Sequence, residues 1–180
     1  MAKKPAAATP ALKMLDDAGI TYSTHSYDSA GTDFGTEAAQ IMRERLNIAA
    51  RRIFKTLIVH LSGTKRDNNI RGAAANLAVA MVPVDSHVDL KAVANALGAS
   101  KATMADPHLA QKTTGYVLGG VSPLAQKRQL STVIDVAAQD AITSGETIFF
   151  SAGKRGLEIE MEPAKLIALL EARCAPIAAR

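Results

Sequence analysis

Apolar residues recur at helical spacing in several separate stretches, with short apolar or alternating runs between them. Leu12, Leu15 and Ala18 follow a cap residue, Thr9, and a proline at the first helical position, Pro10; the run stops at Gly19, which predicts a short amphipathic helix. Residues 20–27 alternate weakly and read as a strand, and the turn-rich 28–35 lead into a helix over 36–46 with Ala38, Ile41, Met42 and Leu46 on its apolar face. Residues 53–61 carry β-branched and apolar residues around Lys55 and Thr56, predicting a largely buried strand interrupted by these two polar residues. The polar, basic stretch 62–75 then forms a long loop to an apolar strand at 77–83.

The second half is more finely divided. A helix over 89–97 stops at Gly98, and Asp106 with Pro107 starts another helical turn by the same cap logic. Short strands follow at 116–118, 132–135, 147–151 and 157–161, separated by Gly, Ser and Pro, and a helix over 163–173 closes the chain with Leu166, Ile167, Leu169 and Leu170 inward. Short strands with intervening helices favour a mixed α/β (α+β) fold: one domain with a barrel-like mixed β-sheet flanked by helices. The expected organisation is a disordered lead over 1–8 and a single domain over 9–180, without internal repeats.

Composition narrows the function classes. At 180 residues and 48% apolar content the chain can bury one substantial core without a metal or disulfide staple. Four Phe, three Tyr and no Trp leave little for a single-strand stacking platform. The lone Cys174 can form no internal disulfide and reads as a packed or surface thiol, consistent with a reducing cytoplasm. No run has the length of a signal peptide's apolar core or a bilayer span, so a soluble, cytoplasmic protein with no membrane partner is expected. A net charge of +4 and a pI near 9.3 tilt only slightly towards polyanionic partners.

The four histidines, His25, His60, His87 and His108, do not pair at helical metal-site spacing, and neither a metal nor a cofactor is expected. Nucleophile-elbow, Walker and dinucleotide-binding signatures are missing. Lys55 is the charged residue most out of place: inside an apolar strand it must reach water or find an acceptor, either on a solvent-facing edge or in a cleft where it could hold a phosphate or polarise an ester carbonyl. Gly115, Gly119 and Gly120, followed by Ser122 and Pro123, make a turn where backbone can approach a ligand closely, though a purely structural turn uses the same residues. The turn Ser151-Ala152-Gly153-Lys154-Arg155-Gly156 adds two cations suited to a phosphate backbone, or is a solvated hairpin.

Several of these runs occur together elsewhere. TPALKMLDDAGI, HSYD, TDFG, FKTLIV, MADP, TGYVLGGVSPL and SAGKRGLEIEM resemble successive pieces of the YbaK family of cysteinyl-tRNA(Pro) deacylases, from about Thr9 to Ala178 and broken mainly by the 62–75 loop. The resemblance implies a helix-flanked, barrel-like mixed sheet related to the editing insertion of bacterial prolyl-tRNA synthetases. It further implies trans-editing: ester cleavage of mischarged Cys-tRNA(Pro), assisted by the substrate's own thiol. Lys55 would lie beside the ester or its neighbouring phosphate, with Gly119 and Gly120 as backbone orienters. Tyr27, Phe34, Thr56 and Ser151 would line the pocket, and Lys154 and Arg155 are candidates for tRNA contact. Glu158 stands where close members carry Asp, so its role as a substrate-binding acid is an open expectation. The implied partners are aminoacylated tRNA, specifically proline tRNA, and prolyl-tRNA synthetase. Two other readings fit the same residues: a deacylase of alanyl-tRNA(Pro) that uses water, and an inert tRNA- or synthetase-binding module using Lys65, Arg66, Arg71, Lys154 and Arg155.

Overall fold

The computed structural model describes residues 8–28, 34–64 and 76–179, without the side chains of 34–39. The expected disordered lead and the cations Lys65, Arg66 and Arg71 lie outside these residues, apart from Ala8. The fold is mixed α/β. Its strands form three sheets, and among the described residues none closes into a barrel.

The central sheet has the order β5-β2-β3-β6-β9, built from β2 (Phe54–Ser62), β3 (Leu77–Pro83), β5 (Lys101–Met104), β6 (Ser131–Asp135) and β9 (Arg173–Ala175). Its pairings are antiparallel for β2 with β3 and β5, and parallel for β6 with β3 and β9. Every residue of β3 is buried, which explains its unbroken apolar sequence: both faces are covered. Leu77, Val79 and Met81 face the main core with α1 (Pro10–Asp17), α4 (Pro107–Thr114) and α6 (Pro163–Leu170). Ala78, Ala80 and Val82 face a smaller core under α3 (Leu90–Ala96). A second sheet, β1 (Ser23–Ser26), β8 (Leu157–Met161) and β7 (Ile148–Lys154), packs Ile148, Phe150, Leu157 and Ile159 into the main core. A two-stranded pair, β4 (His87–Val88) with β10 (Ala178–Ala179), ties down the C-terminal segment.

The expected caps at Thr9 and Asp106 are in place, and Asp89, expected as the first residue of its helix, caps it instead. Thr9 Oγ1 accepts from Leu12 N–H at 3.2 Å, Asp89 from Ala92 N–H at 3.0 Å and Asp106 from Leu109 N–H at 2.9 Å. Helix α2 (Phe34–Leu46) starts before the expected residue 36, and Leu46, assigned to its apolar face, is exposed.

Three local expectations fail for identifiable reasons. Residues 116–118 are not a strand, because Tyr116 turns into the core and its hydroxyl donates to Leu124 O at 2.7 Å. Gly120 N–H closes a turn on Val117 O, and Leu118 N–H goes to Gln111 Oε1. The last helix ends at Leu170 rather than 173, since Glu171 adopts positive φ and releases the chain into β9. Helix α5 (Ala137–Thr143) was not anticipated: its start lacks a conventional N-cap side chain, and Asp135 Oδ1 accepts Ala137 N–H instead.

Candidate active site

Strand β2 is partnered unevenly. Strand β3 pairs with it from Phe54 to His60, but β5 pairs only from Val59 to Ser62. The second sheet touches its start through an isolated bridge between Ile53 and Phe149. Ala105 N–H also donates to Ile58 O at 3.0 Å, and from Phe54 to Leu57 this edge of β2 has no strand partner among the described residues; a cavity of about 290 Å³ lies along it. Six consecutive residues, 53–58, line this cavity. A sheet face would offer alternate residues, so contributions from consecutive positions identify a strand edge. This accounts for Lys55 and Thr56 inside an apolar strand: both are half-buried at the open edge.

Polar groups from three other segments reach the same cavity. Ser151 and Glu158 are direct cross-strand partners on β7 and β8. A register shift between Ser151 and Lys154 marks a bulge there, and Ser151 Oγ accepts Gly153 N–H at 3.2 Å. Tyr27 follows β1, held by its N–H on Gly156 O at 2.9 Å, and its side chain hydrogen-bonds Glu158. Burial pushes the Glu158 carboxyl up to about 8, while the Tyr27 hydrogen bond opposes the rise. Burial therefore favours the protonated form of Glu158 well above the ordinary carboxyl range. Thr56 Oγ1 is buried and has no hydrogen-bond partner among the described residues.

The two glycine-bearing turns meet beside this cavity. Gly119, at φ +81, belongs to its lining. Gly120 does not; it is buried against the other turn, where an added Cβ would lie 2.9 Å from Arg155 N and 3.2 Å from Lys154 C. Arg155 Nε donates to Leu118 O at 2.8 Å, which locks the turns together and leaves Lys154 and Arg155 exposed outside the lining. Phe34 opens α2, and its side chain is outside the described residues.

Of the sequence-predicted site residues, the cavity thus gathers Lys55, Gly119, Tyr27, Thr56, Ser151 and Glu158. Its apolar lining was not anticipated: Ile58, Val84, Met104, Ala110, Leu118 and Val121 come from β2, the end of β3, β5, α4 and the first glycine turn. Ile58, Met104, Leu118 and Val121 lie within the runs that carry the family resemblance, but none was singled out for the pocket. A larger cleft of about 780 Å³ borders α2 and shares only Val84 with the cavity. Among the described residues its lining includes none of the predicted site residues.

On the same face as Glu158, Glu160 accepts from Thr147 Oγ1 at 2.6 Å and pairs with His25 Nε2 at 2.7 Å, and Arg52 binds Thr147 at 2.7 Å. This network braces the start of β2 against β7. Among the described residues no cluster of three or more His, Cys, Asp or Glu could hold a metal, and no helix is long and apolar enough to cross a membrane. Cys174 sits in β9, away from the cavity, its thiol pushed up by burial.

Comparison with known proteins places this arrangement. A protein of Enterococcus faecalis named "Putative Cys-tRNA(Pro)/Cys-tRNA(Cys) deacylase EbsC" is 31% identical over 175 residues, covering 97% of this chain and 96% of that protein. The crystal structure of hypothetical protein APE2540 superposes with a TM-score of 0.74 at 20% identity, covering 95% of this chain and all of the other. That of "a putative trans-editing enzyme for prolyl tRNA synthetase" gives 0.68 at 21% identity, covering 94% and 93%. Both share the fold. The aminoacyl-tRNA editing domain family matches residues 35–169, which hold every described cavity-lining residue except Tyr27, and the chain belongs to the aminoacyl-tRNA editing domain family of deacylases.

Proposed function

We propose that this chain is a trans-editing enzyme that cleaves the ester of cysteinyl-tRNA(Pro), using the substrate's own thiol as nucleophile. The observation that carries this reading is the chemistry of the cavity. It offers a lysine, a buried carboxyl, hydroxyls and a glycine backbone, while its described lining contains no histidine or cysteine. Ser151 accepts from Gly153 N–H and has no imidazole beside it in that lining to act as base. Such a site orients and stabilises; the nucleophile arrives with the substrate.

In the proposed step the cysteine sulfur attacks its own carbonyl carbon. The S–C bond forms, the bond from that carbon to the ribose oxygen breaks, and the thiol proton ends on the released ribose hydroxyl. The products are a cyclic thiolactone and free tRNA. Lys55, with the Gly119 backbone, holds the ester and stabilises the developing oxyanion. Tyr27, Thr56 and Ser151 fix the aminoacyl group, and the Thr56 hydroxyl, which no described protein group engages, is available to it. The name of the 31% identical relative supports the cysteinyl substrate. The likeness to the prolyl-tRNA synthetase trans-editing structure supports that synthetase as the partner that selects proline tRNA, and cytoplasmic action follows.

The test is release of tRNA from cysteinyl-, seryl- and alanyl-tRNA(Pro) by wild type and Lys55→Ala, with folding of the variant checked by circular dichroism. Cysteine-selective cleavage that falls by about 100-fold or more in Lys55→Ala is expected, the scale of removing one oxyanion donor. Equal cleavage of the seryl ester refutes the thiol route, since a hydroxyl is a much poorer nucleophile.

A further inference from the structure

Five large apolar side chains are exposed among the described residues. Two of them border the cavity that holds Lys55: Met104 at 50% and Leu118 at 38%. A third, Val117 at 52%, is the chain neighbour of Leu118. They are not the cavity's floor, because Ile58, Ala110 and Val121 line it at 7% exposure or less. The cavity therefore has a buried apolar floor and an exposed apolar rim, and clustered apolar surface of this kind marks a place that something else covers.

The rim is held firmly. Leu118 N–H donates to Gln111 Oε1 at 3.1 Å and its carbonyl accepts from Arg155 Nε at 2.8 Å, so its backbone is tied on both sides while its side chain stays in solvent. Met104 ends β5 and pairs with Val59, at the point where β2 loses its second partner. Arg155 and Lys154 are exposed next to Leu118, which sets cations beside the apolar rim.

We propose that Met104 and Leu118 grip the flat, uncharged heteroaromatic base of the substrate's 3′-terminal nucleoside. The inference rests on the deacylase reading above. In an aminoacyl-tRNA the ester oxygen belongs to the ribose of the terminal nucleoside, so a substrate with its ester beside Lys55 brings the base of that same ribose to the cavity mouth. A base has two apolar faces, and thioether and aliphatic side chains gain dispersion and sulfur–ring contact by covering them. The anionic phosphate on the 5′ side of that nucleoside matches the cations at Lys154 and Arg155.

The test uses the full-length protein and a cysteinyl acceptor-stem minihelix with a non-cleavable amide linkage and 2-aminopurine in place of the terminal adenine. Deacylation of ordinary cysteinyl-tRNA(Pro) is measured in parallel. Binding to wild type is expected to change the probe's fluorescence. Met104→Ala and Leu118→Ala should each weaken binding about fivefold to 30-fold, equivalent to about 1–2 kcal/mol, and raise KM while kcat stays within about twofold. Met104→Leu and Leu118→Met should recover most of the loss. If wild type binds and cleaves with no change in the probe, or the alanine variants match wild type, the base assignment is overturned and the deacylase reading stands. Alanine variants that lose only their response to prolyl-tRNA synthetase make the rim a protein-docking face, which also overturns it. A wild type that neither binds the minihelix nor cleaves cysteinyl-tRNA overturns both.

Discussion

Replacing Glu158 by Gln isolates the thermodynamic consequence of one buried proton. Burial raises this carboxyl from an ordinary 4.5 to about 8, with the Tyr27 hydrogen bond opposing. The unfolded chain thus loses the proton near 4.5 and the folded chain only near 8. Below 4.5 both states are protonated and Glu158 imposes no penalty. Between the two values the folded state holds about one more proton than the unfolded state, so stability falls as pH rises. At about 1.4 kcal/mol per pH unit, the penalty reaches about 3 kcal/mol at pH 7 and levels off above the folded value. Gln keeps the shape and an oxygen to accept from Tyr27 but carries no titrating proton. Urea unfolding of wild type and Glu158→Gln across this range measures the difference, and taking the difference cancels groups common to both, such as His25 and Glu160. The expected curve is flat at acid pH, then widens in favour of Gln by about 1.4 kcal/mol per pH unit. Stability curves that run parallel from pH 4.5 to 8 would refute a buried, proton-holding Glu158.

Two further substitutions test how distant segments are held together. Gly120→Ala puts a Cβ 2.9 Å from Arg155 N; with backbone as the obstacle, a loss of about 1–3 kcal/mol in thermal or urea unfolding is expected, along with reduced deacylation as the turns separate. Asp135→Asn is expected to cost about 2–4 kcal/mol by the same measurement, because the buried carboxylate accepts from Ala137, Ile177 and Ala178 N–H and an amide keeps only one accepting oxygen.

The cavity was legible in part because some of its residues break local rules. Lys55 and Thr56 interrupt an apolar strand, and Gly119 and Gly120 concentrate backbone freedom, so each signals a constraint that packing alone does not explain. Tyr27 and Glu158 break no such rule. An aromatic or an acid at the end of a short strand is ordinary, and the family resemblance was the reason to single them out. Met104, Ala110 and Val84 were not singled out, although Met104 opens the MADP run, because an apolar residue in an element reads as core whether or not a cavity lies against it.

What the sequence determined by itself is local. Caps at Thr9, Asp89 and Asp106 start their helices through contacts three residues away, and the unbroken apolar run of β3 specifies a strand buried on both faces. Tertiary structure decided what depends on residues distant in the chain. Strand β5 stops pairing at Val59 while β7 reaches only Ile53, and that gap opens the edge of β2 into a cavity. The registers that pair Ser151 with Glu158 and bring Tyr27 onto the same carboxyl set its proton affinity. Burial and strand register are properties of the assembled sheets, so a lysine in an apolar run announces a constraint, and only the fold shows which neighbours impose it.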